Sequence, residues 1–352
     1  MTLSCLSSIL RNNFKSYEVI LVDNCSTDAT PHLLARIKGA KIIHNSLNLH
    51  FLLACNQASK IATGEFILFL NNDAQLLGDS ITAAVETITS SENIGAVGGK
   101  ITFPDGALQE AGSIIWQDGC CVGYGRGDSP AAPQYMYQRA VDYCSAAFLI
   151  APTELFLKLG GFDEDYQPAY CEEIDYCIRL WKLGKKVIYD PKVTIVHYEF
   201  ASSSHSNSSA NASALMQQNY KILQQKHQDW LQDQYPCDRK NILCARTHPR
   251  DNRQRLLYID NRVLHPYLES GSTDNHRILS TLVELRYAVT LYLTDLTDTE
   301  NWTDIYADIS REVEVIRGYG WLQLEDFLRE RQEYYDIVLA TDPYSIKYLK
   351  DL

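Results

Sequence analysis

The sequence feature that most constrains the fold is the run of apolar residues 66–70, which ends abruptly on Asn71, Asn72 and Asp73. Five consecutive large apolar side chains are typical of a strand that is buried on both faces, as in a parallel sheet. Open α/β sheets bind ligands at the carboxyl ends of such strands. Asp73 and Asn71 offer the oxygen atoms that Mg²⁺ or Mn²⁺ prefers, whereas an ordinary Asn-Asn-Asp turn needs no ligand. Both interpretations are open at this point.

Predicted strands and helices alternate along the first 200 residues. The predicted strands are residues 17–22, 41–44, 66–70, 143–151, 186–189 and 193–196. The predicted helices are residues 1–12, 31–38 (with Thr30 as N-cap), 48–62, 153–159 and 173–183. This alternation predicts an α/β fold with a mostly parallel sheet and helices on both faces. No GxGxxG motif follows any strand, which disfavours a nicotinamide or flavin enzyme.

Composition excludes several classes of protein. A length of 352 residues predicts two domains, and a net charge of -12 argues against a nucleic-acid partner, which needs clustered Lys and Arg. The sequence has no run of eighteen apolar residues that would cross a membrane and no export leader. The ten cysteines form no CxxC pair and are predicted to be reduced. We therefore expect a cytoplasmic chain.

Three carboxylates crowd the start of one predicted helix. Glu172, Glu173 and Asp175 lie in its first turn, where negative charge complements the helix dipole. Three are more than this charge complementarity needs. Crowded like charges raise one another's pKa, and a carboxylate with a raised pKa accepts a proton near neutral pH.

Two further strand ends carry polar residues. Asp23 and Asn24 follow the strand at residues 17–22, and His197 follows the strand at residues 193–196. A histidine at such a position is either part of a site or an ordinary surface residue, and the sequence leaves both open.

Four stretches resemble family 2 glycosyltransferases, the nucleotide-sugar enzymes of the glycosyltransferase-A fold, and in particular their bacterial rhamnosyltransferase-like members. They are residues 18–28, 69–73, 160–164 and 172–179, in the family's order and spacing. The resemblance implies that residues 1–200 form a Rossmann-like mixed sheet. It also implies transfer of a sugar from a UDP-, dTDP- or GDP-linked donor to a glycan or lipid-linked glycan acceptor during surface polysaccharide synthesis, with peripheral contact at the inner face of the membrane.

Two rival functions stay open beside this one. The first is a catalytically silent module or truncated fragment that binds sugar nucleotides or acts as a scaffold. The second is a nucleotidyltransferase, which usually carries a glycine-rich basic loop beside its first strand; the sequence has none.

The resemblance also implies a metal site. Asp73 stands in the family's DxD motif, where it would hold Mn²⁺ or Mg²⁺ on the donor diphosphate, and Asn71 replaces the motif's first Asp. His197 falls where some members have a further metal ligand.

The same resemblance assigns catalytic and donor-binding roles. Glu173 would be the general base of an inverting displacement, with Asp175 and Glu172 as further catalytic candidates. The implied donor-binding residues are Asp23, Asn24, Ser26, Asn48, Asn56, Asn72 and Asp142. The chain departs from the family at His50, which stands where members often have Gly.

The remainder of the chain predicts a second α/β unit. Residues 201–254 are predicted to form a flexible loop (202–213), a polar helix (214–232) and a linker (236–254). Residues 255–352 resemble, more distantly, the first half-domain of group 1 (family 4) glycosyltransferase-B enzymes. The predicted elements there are strands at 255–260, 288–293 and 335–340 and a helix at 275–285. Without the second half-domain we expect no activity from this unit.

One strand of the family's pattern is missing from the sequence. In family members an apolar strand precedes the helix at residues 1–12 and lies between the strands at 17–22 and 66–70. Unpaired buried backbone groups cost about 1–3 kcal/mol each, so the gap must be filled. We expect either an upstream segment that supplies the strand or direct pairing of its two neighbours, and we expect the chain to be a fragment at both ends.

Overall fold

The computed structural model describes residues 1–199, 208–267, 270–296, 300–341 and 349. The chain forms two compact units. The first comprises residues 1–128, 140–241 and 245–248, and the second comprises residues 129–139, 242–244 and 249–352. The loop predicted at residues 202–213 lies outside the described residues as far as residue 207, and from Ser208 the backbone is helical.

The elements follow in chain order. The helices are α1 (Thr2–Arg11), α2 (Thr30–Leu34), α3 (His50–Ser59), α4 (Ser80–Thr89), α5 (Thr153–Lys158), α6 (Glu172–Lys182), α7 (Ser208–Lys226), α8 (Gln228–Leu231), α9 (Ile242–Ala245), α10 (Ser270–Glu284), α11 (Trp302–Asp308) and α12 (Leu324–Glu330). The strands are β1 (Val19–Asp23), β2 (Ala40–His44), β3 (Phe66–Leu70), β4 (Ala74–Leu77), β5 (Ile94–Thr102), β6 (Leu108–Ala111), β7 (Ser113–Ile115), β8 (Cys121–Gly123), β9 (Arg139–Ala140), β10 (Phe148–Pro152), β11 (Lys186–His197), β12 (Arg255–Asp260), β13 (Ala288–Leu293), β14 (Glu314–Ile316) and β15 (Ile337–Ala340). Short 3-10 helices cover Pro133–Tyr135, Glu164–Tyr166, Arg239–Asn241 and Trp321–Gln323.

The main sheet of the first unit is mixed, and the predicted α/β class is confirmed. Its strands run in the order β3-β10-β5-β11-β4, with β6 paired to β5. β5 and β11 are parallel, whereas β10 is antiparallel to both β3 and β5. The expectation that β3 is buried on both faces in a parallel pair is wrong. Ile67 and Phe69 are buried and their neighbours are half-buried, because in the described chain β3 pairs with β10 alone.

β1 and β2 form a separate parallel pair in the first unit. Within the described residues β1 does not hydrogen-bond to β3, so the direct pairing considered above does not occur there. β1 is mostly half-buried rather than buried, and its one buried residue is Asp23 at the carboxyl end.

Other predicted elements differ in their bounds. Residues 143–147 are not part of β10, because Tyr143 makes an isolated bridge to Ser113 instead. The two strands predicted at 186–189 and 193–196 are one strand, β11, with an irregularity between Asp190 and Thr194. Thr30 is the first residue of α2, not its cap.

An aromatic cluster holds the sheet, α5 and α6 together in the first unit. Phe69 of β3 lies 4.8 Å from Phe156 of α5 and 4.8 Å from Phe162, measured between ring centroids. Phe156 lies 5.2 Å from Tyr176 of α6. Three of these rings are 0% exposed, so the ends of β3 and α6 sit on a rigid base.

The predicted linker at residues 236–254 is largely ordered. It contains a 3-10 turn and α9, and Ala245, Arg246 and His248 are buried in the first unit. The charged residues of this segment predict an exposed linker. His248 is nevertheless buried, because it forms a hydrogen bond with Asp142.

The second unit has a parallel sheet in the order β14-β13-β12-β15. Alternate residues of β12 pack into two different apolar clusters: Leu256 and Tyr258 into one, Leu257 and Ile259 into the other. The sheet is therefore covered on both faces, as expected for parallel strands. Strands β12 and β13 have the predicted bounds.

Candidate functional site

Asp73, Asn71 and His197 meet at the carboxyl end of β3. His197 Nε2 lies 3.3 Å from Asp73 Oδ1 and 3.2 Å from Asn71 Nδ2, although Asn71 and His197 are 126 residues apart in the chain. The side chains of His197 and Asp73 are only 10% and 8% exposed. The three residues implied as metal ligands by the resemblance are thus brought together.

Strand pairing explains this meeting. β4 begins directly after Asp73, and its first residue, Ala74, pairs with His197 of β11. The Tyr198 amide donates to the Asp73 carbonyl at 3.0 Å, which extends the pairing by one step. The Asn-Asn-Asp segment is also a turn, because the Ala74 amide donates to the Asn71 carbonyl. The turn interpretation is therefore confirmed, and the metal-site interpretation stays a prediction.

A sharp backbone turn presents the carboxylates of α6. Tyr170 and Cys171 both have positive φ, 76° and 73°, immediately before Glu172. Non-glycine residues adopt this conformation at a cost and keep it only where surrounding contacts enforce it. Asn219 of α7 is buried and its Nδ2 lies 2.9–3.0 Å from the carbonyls of Tyr166, Ala169 and Tyr170.

Glu173 and Glu172 have different environments. Glu173 is half-buried, whereas Glu172 is buried and its Oε2 has no hydrogen-bond partner in the described chain. Burial raises the pKa of Glu173 to about 7, and the charge of Glu110 contributes further. Burial and the charge of Glu173 raise the pKa of Glu172 well above its ordinary value. With a pKa near neutral, Glu173 is poised to accept a proton.

The Asp175 carboxylate contacts two side chains inside the first unit. It accepts from Arg179 Nε at 2.6 Å and lies 2.8 Å from His227 Nε2. Arg179 also donates to the carbonyls of Leu159 and Gly161, which ties α6 to the end of α5. These contacts leave Glu173 as the carboxylate of this motif that is best placed to meet a substrate.

Two residues of β6, Gln109 and Glu110, also lie at the site, although they were not predicted from the sequence. Gln109 Oε1 lies 3.1 Å from His197 Nδ1. Glu110 is buried, accepts from the Ser145 amide and the Ser113 hydroxyl, and interacts electrostatically with both Glu173 and His197. Burial raises the pKa of Glu110 despite these hydrogen bonds. The available signal was two adjacent polar residues between Leu108 and Ala111.

Asp23, Asn24 and Ser26 form a loop at the end of β1. Asp23 accepts from the Ser26 amide at 3.1 Å and lies 3.2 Å from His44 Nδ1. Hydrogen bonds from Ser26 and His44 outweigh burial and lower the pKa of Asp23, so it is anionic at neutral pH. Asn24 Nδ2 donates to the His50 carbonyl at 2.9 Å, which connects this loop to the start of α3.

Asn48 lies beside that loop, and Asn72 lies in the turn between Asn71 and Asp73. Asn48 Oδ1 accepts from the His50 amide at 2.8 Å, so it caps α3 from outside. Asn72 is exposed and donates to the Thr2 hydroxyl at 3.1 Å. Both keep polar atoms at the surface of the predicted site.

Asn56 and Asp142 are placed differently. Asn56 is 7% exposed and makes two hydrogen bonds with the backbone of Phe162, at 2.7 and 2.8 Å. Asp142 is 1% exposed; it accepts from the Ile115 amide at 2.8 Å and lies 2.5 Å from His248 Nδ1. Both side chains make these hydrogen bonds in the interior of the first unit, and their donor-binding roles stay predictions.

The atoms around Asp73 suit a divalent cation. A carboxylate oxygen and an imidazole nitrogen are ligands that Mn²⁺ accepts, and ions of this kind often take their remaining ligands from water and substrate phosphates. Within the described ranges, no group of three or more His, Cys, Asp or Glu side chains is placed to hold a metal. A cation at Asp73 and His197 would thus be held by few protein ligands.

Comparison with known families matches residues 1–150 to the model "Glycosyl transferase family 2". The matched segment contains the loop after β1 and the Asn71, Asn72, Asp73 turn, whereas Glu173 and His197 lie beyond it.

The relatives of this chain include an O-antigen biosynthesis protein and a rhamnosyltransferase. The O-antigen biosynthesis protein RfbC of Myxococcus xanthus is 27% identical over 264 residues, which is 70% of this chain and 20% of the relative. The N-acetylglucosaminyl-diphospho-decaprenol L-rhamnosyltransferase of Mycobacterium tuberculosis is 25% identical over 288 residues, which is 73% of this chain and 93% of the relative. The chain spans only 20% to 23% of the length of the longer curated relatives it matches.

Among solved structures, the chain is similar to a mannosyltransferase from Pyrobaculum calidifontis in complex with GDP-Man and Mn²⁺. The match has 18% sequence identity and a TM-score of 0.44, and covers 63% of this chain and 60% of that chain. No helix in the described part of the chain is long and apolar enough to cross a membrane.

Proposed function

We propose that this chain is a glycosyltransferase that moves a sugar from a nucleotide-diphosphate donor to a glycan acceptor in surface polysaccharide synthesis. The observation that carries the proposal is Glu173, a half-buried carboxylate whose pKa is raised to about 7. Glu173 and His197 both interact electrostatically with Glu110, and His197 Nε2 lies 3.3 Å from Asp73 Oδ1. A base matched to neutral pH beside a cation-binding pair is what transfer to a hydroxyl group requires.

Each part of the site has a role in this proposal. Asp73 and His197 would hold Mn²⁺ or Mg²⁺, and Asp23, Asn24 and Ser26 would hold the nucleoside of a UDP-, dTDP- or GDP-linked donor. The divalent cation, when bound, offsets the negative charge of the diphosphate. Glu173 takes the proton of the acceptor hydroxyl, whose oxygen attacks the anomeric carbon and inverts its configuration. The bond from that carbon to the diphosphate oxygen breaks, and the nucleoside diphosphate leaves.

The place of this reaction is part of the proposal. The acceptor is a glycan or a lipid-linked glycan, and the chain works at the cytoplasmic side of the membrane through peripheral contact. The name of the Mycobacterium relative, an N-acetylglucosaminyl-diphospho-decaprenol L-rhamnosyltransferase, supports a lipid-linked glycan as the acceptor.

The test is a nucleotide-release assay with UDP-, dTDP- and GDP-sugars and Mn²⁺. Asp73→Ala should abolish release and weaken Mn²⁺-dependent donor binding. Glu173→Gln should bind donor normally but turn over at least about 100-fold more slowly, since its amide cannot accept a proton. Glu154→Gln is the matched control, because Glu154 is an exposed acid in the first turn of α5.

Three outcomes would change the proposal. Normal donor affinity in Asp73→Ala would remove the metal assignment. Normal turnover in Glu173→Gln would make Asp175 or Glu172 the candidate base. A wild-type protein that binds donor but never releases nucleotide, with any metal, would be the silent sugar-nucleotide module.

A further inference from the structure

The imidazole of His197 is held between three polar groups whose hydrogen-bonding capacities differ. Nδ1 faces the amide oxygen of Gln109 at 3.1 Å. Nε2 faces Asn71 Nδ2 at 3.2 Å and Asp73 Oδ1 at 3.3 Å. An amide oxygen only accepts and an amide NH₂ only donates, so the first two contacts require a proton on Nδ1 and a lone pair on Nε2.

This protonation pattern leaves Nε2 and Asp73 Oδ1 as two acceptors facing each other at 3.3 Å. Two acceptors at this distance repel unless a proton or a cation lies between them. A divalent cation takes an electron pair from both. The Nδ1-protonated tautomer is therefore the one that makes His197 a metal ligand, and the group that selects it is Gln109.

The backbone of β6 is built to aim Gln109 at this ring. In the pairing of β5 with β6, Ile101 lies opposite Glu110 and Thr102 lies opposite Leu108, so Gln109 is the extra residue of a bulge. Bulges redirect a side chain that would otherwise follow the alternation of the strand. On the other side of β5, Val196 pairs with Thr102, which brings the adjacent His197 to the level of the bulge. Gln109 is only 5% exposed, so water does not compete for its amide.

We propose that Gln109 is a positioning residue of the metal site: its amide oxygen fixes the Nδ1-protonated tautomer of His197 and so keeps Nε2 available to the cation. The proposal deepens the metal site of the proposed function and rests on it. Gln109 does not itself touch donor, acceptor or metal in this role. An amide turned the other way would donate to Nδ1 and favour the tautomer that carries its proton on Nε2. That nitrogen would then have no lone pair for a cation.

The first measurement is the tautomer of His197 in the full-length, metal-free protein. Histidine rings are labelled with ¹⁵N, and long-range ¹H–¹⁵N spectra are recorded at pH 8. The His197 signals among the nine histidines are identified by their loss in His197→Gln. We expect protonated Nδ1 and unprotonated Nε2. A proton on Nε2 in the wild-type protein would overturn the proposal.

The second measurement is Mn²⁺ affinity without donor or acceptor, from the electron paramagnetic resonance signal of free Mn²⁺. Gln109→Met removes the acceptor and should weaken Mn²⁺ binding 10- to 100-fold, the usual effect of losing a group behind a metal-bound histidine. Gln109→Glu keeps an acceptor and should keep both the tautomer and the affinity. Gln234→Met is the control for burial, because Gln234 is also 5% exposed.

The outcomes separate this proposal from the proposed function. If Gln109→Met changes neither the tautomer nor the affinity, Gln109 is not a positioning residue. If the wild-type protein does not bind Mn²⁺, the proposed metal dependence fails, and the tautomer of the metal-free protein still supports or overturns the role of Gln109. If Gln109→Met does not fold, the wild-type tautomer and Gln109→Glu decide.

Discussion

Replacing Asn56 by Ala tests whether this residue serves the fold or the donor. Asn56 Nδ2 donates to the Phe162 carbonyl at 2.7 Å, and its Oδ1 accepts from the Phe162 amide at 2.8 Å. Phe162 is 0% exposed, so water cannot replace either partner. Each buried backbone group left unpaired costs about 1–3 kcal/mol, so two such groups predict a loss of about 2–6 kcal/mol.

Hydrogen exchange of the full-length chain, resolved by mass spectrometry, measures this loss in α3 and in the turn before Phe162. In the Asn56→Ala variant, the free energy of opening of these segments should fall by the stated amount. Asn72→Ala is the control: Asn72 is exposed and bonds only a side-chain hydroxyl in the described contacts, so its removal should cost no more than about 0.5 kcal/mol. A change below about 0.5 kcal/mol in Asn56→Ala would refute the reasoning. It would return Asn56 to the donor-binding candidates.

Two further predictions concern pH and the interior. With the pKa of Glu173 at about 7, the fraction ionised rises from about one-tenth at pH 6 to about nine-tenths at pH 8, so the transfer rate should rise roughly ninefold; a flat pH–rate profile would exclude Glu173 as the base. Asp142→Asn removes the carboxylate beside buried His248 and should lower the free energy of unfolding by about 1.5–3 kcal/mol, measured by urea unfolding; an unchanged stability with weaker donor binding would favour the donor role instead.

The parts of the site that could be predicted from sequence are those encoded within one short segment. Residues 66–70 and the polar turn after them identify a strand end with a carboxylate. Residues 172–182 carry both the acids and the helix that presents them. Local patterns of this kind depend on neighbours in the chain, so period and polarity are enough to find them.

Local patterns misjudged how the elements pair. An apolar run such as β3 predicts burial, but only the antiparallel partner β10 decides which face is covered. The charged segment at 236–254 predicted a linker, but His248 reaches buried Asp142. Asn56 and Asp142 matched the family's polar positions, yet their partners are backbone groups and a histidine of the interior.

Short-range sequence patterns predict the α/β class, the strand at residues 66–70 that precedes Asp73 and the helix at residues 173–183, because each depends on residues within a few positions of one another. The surroundings of these elements depend on tertiary contacts. The pairing of β4 with β11 brings His197 to Asp73, and the bulge in β6 brings Gln109 to His197. Burial of Glu173, together with the charge of Glu110, raises the pKa of Glu173. These properties arise from contacts between segments far apart in the chain, whose register and burial no local pattern contains.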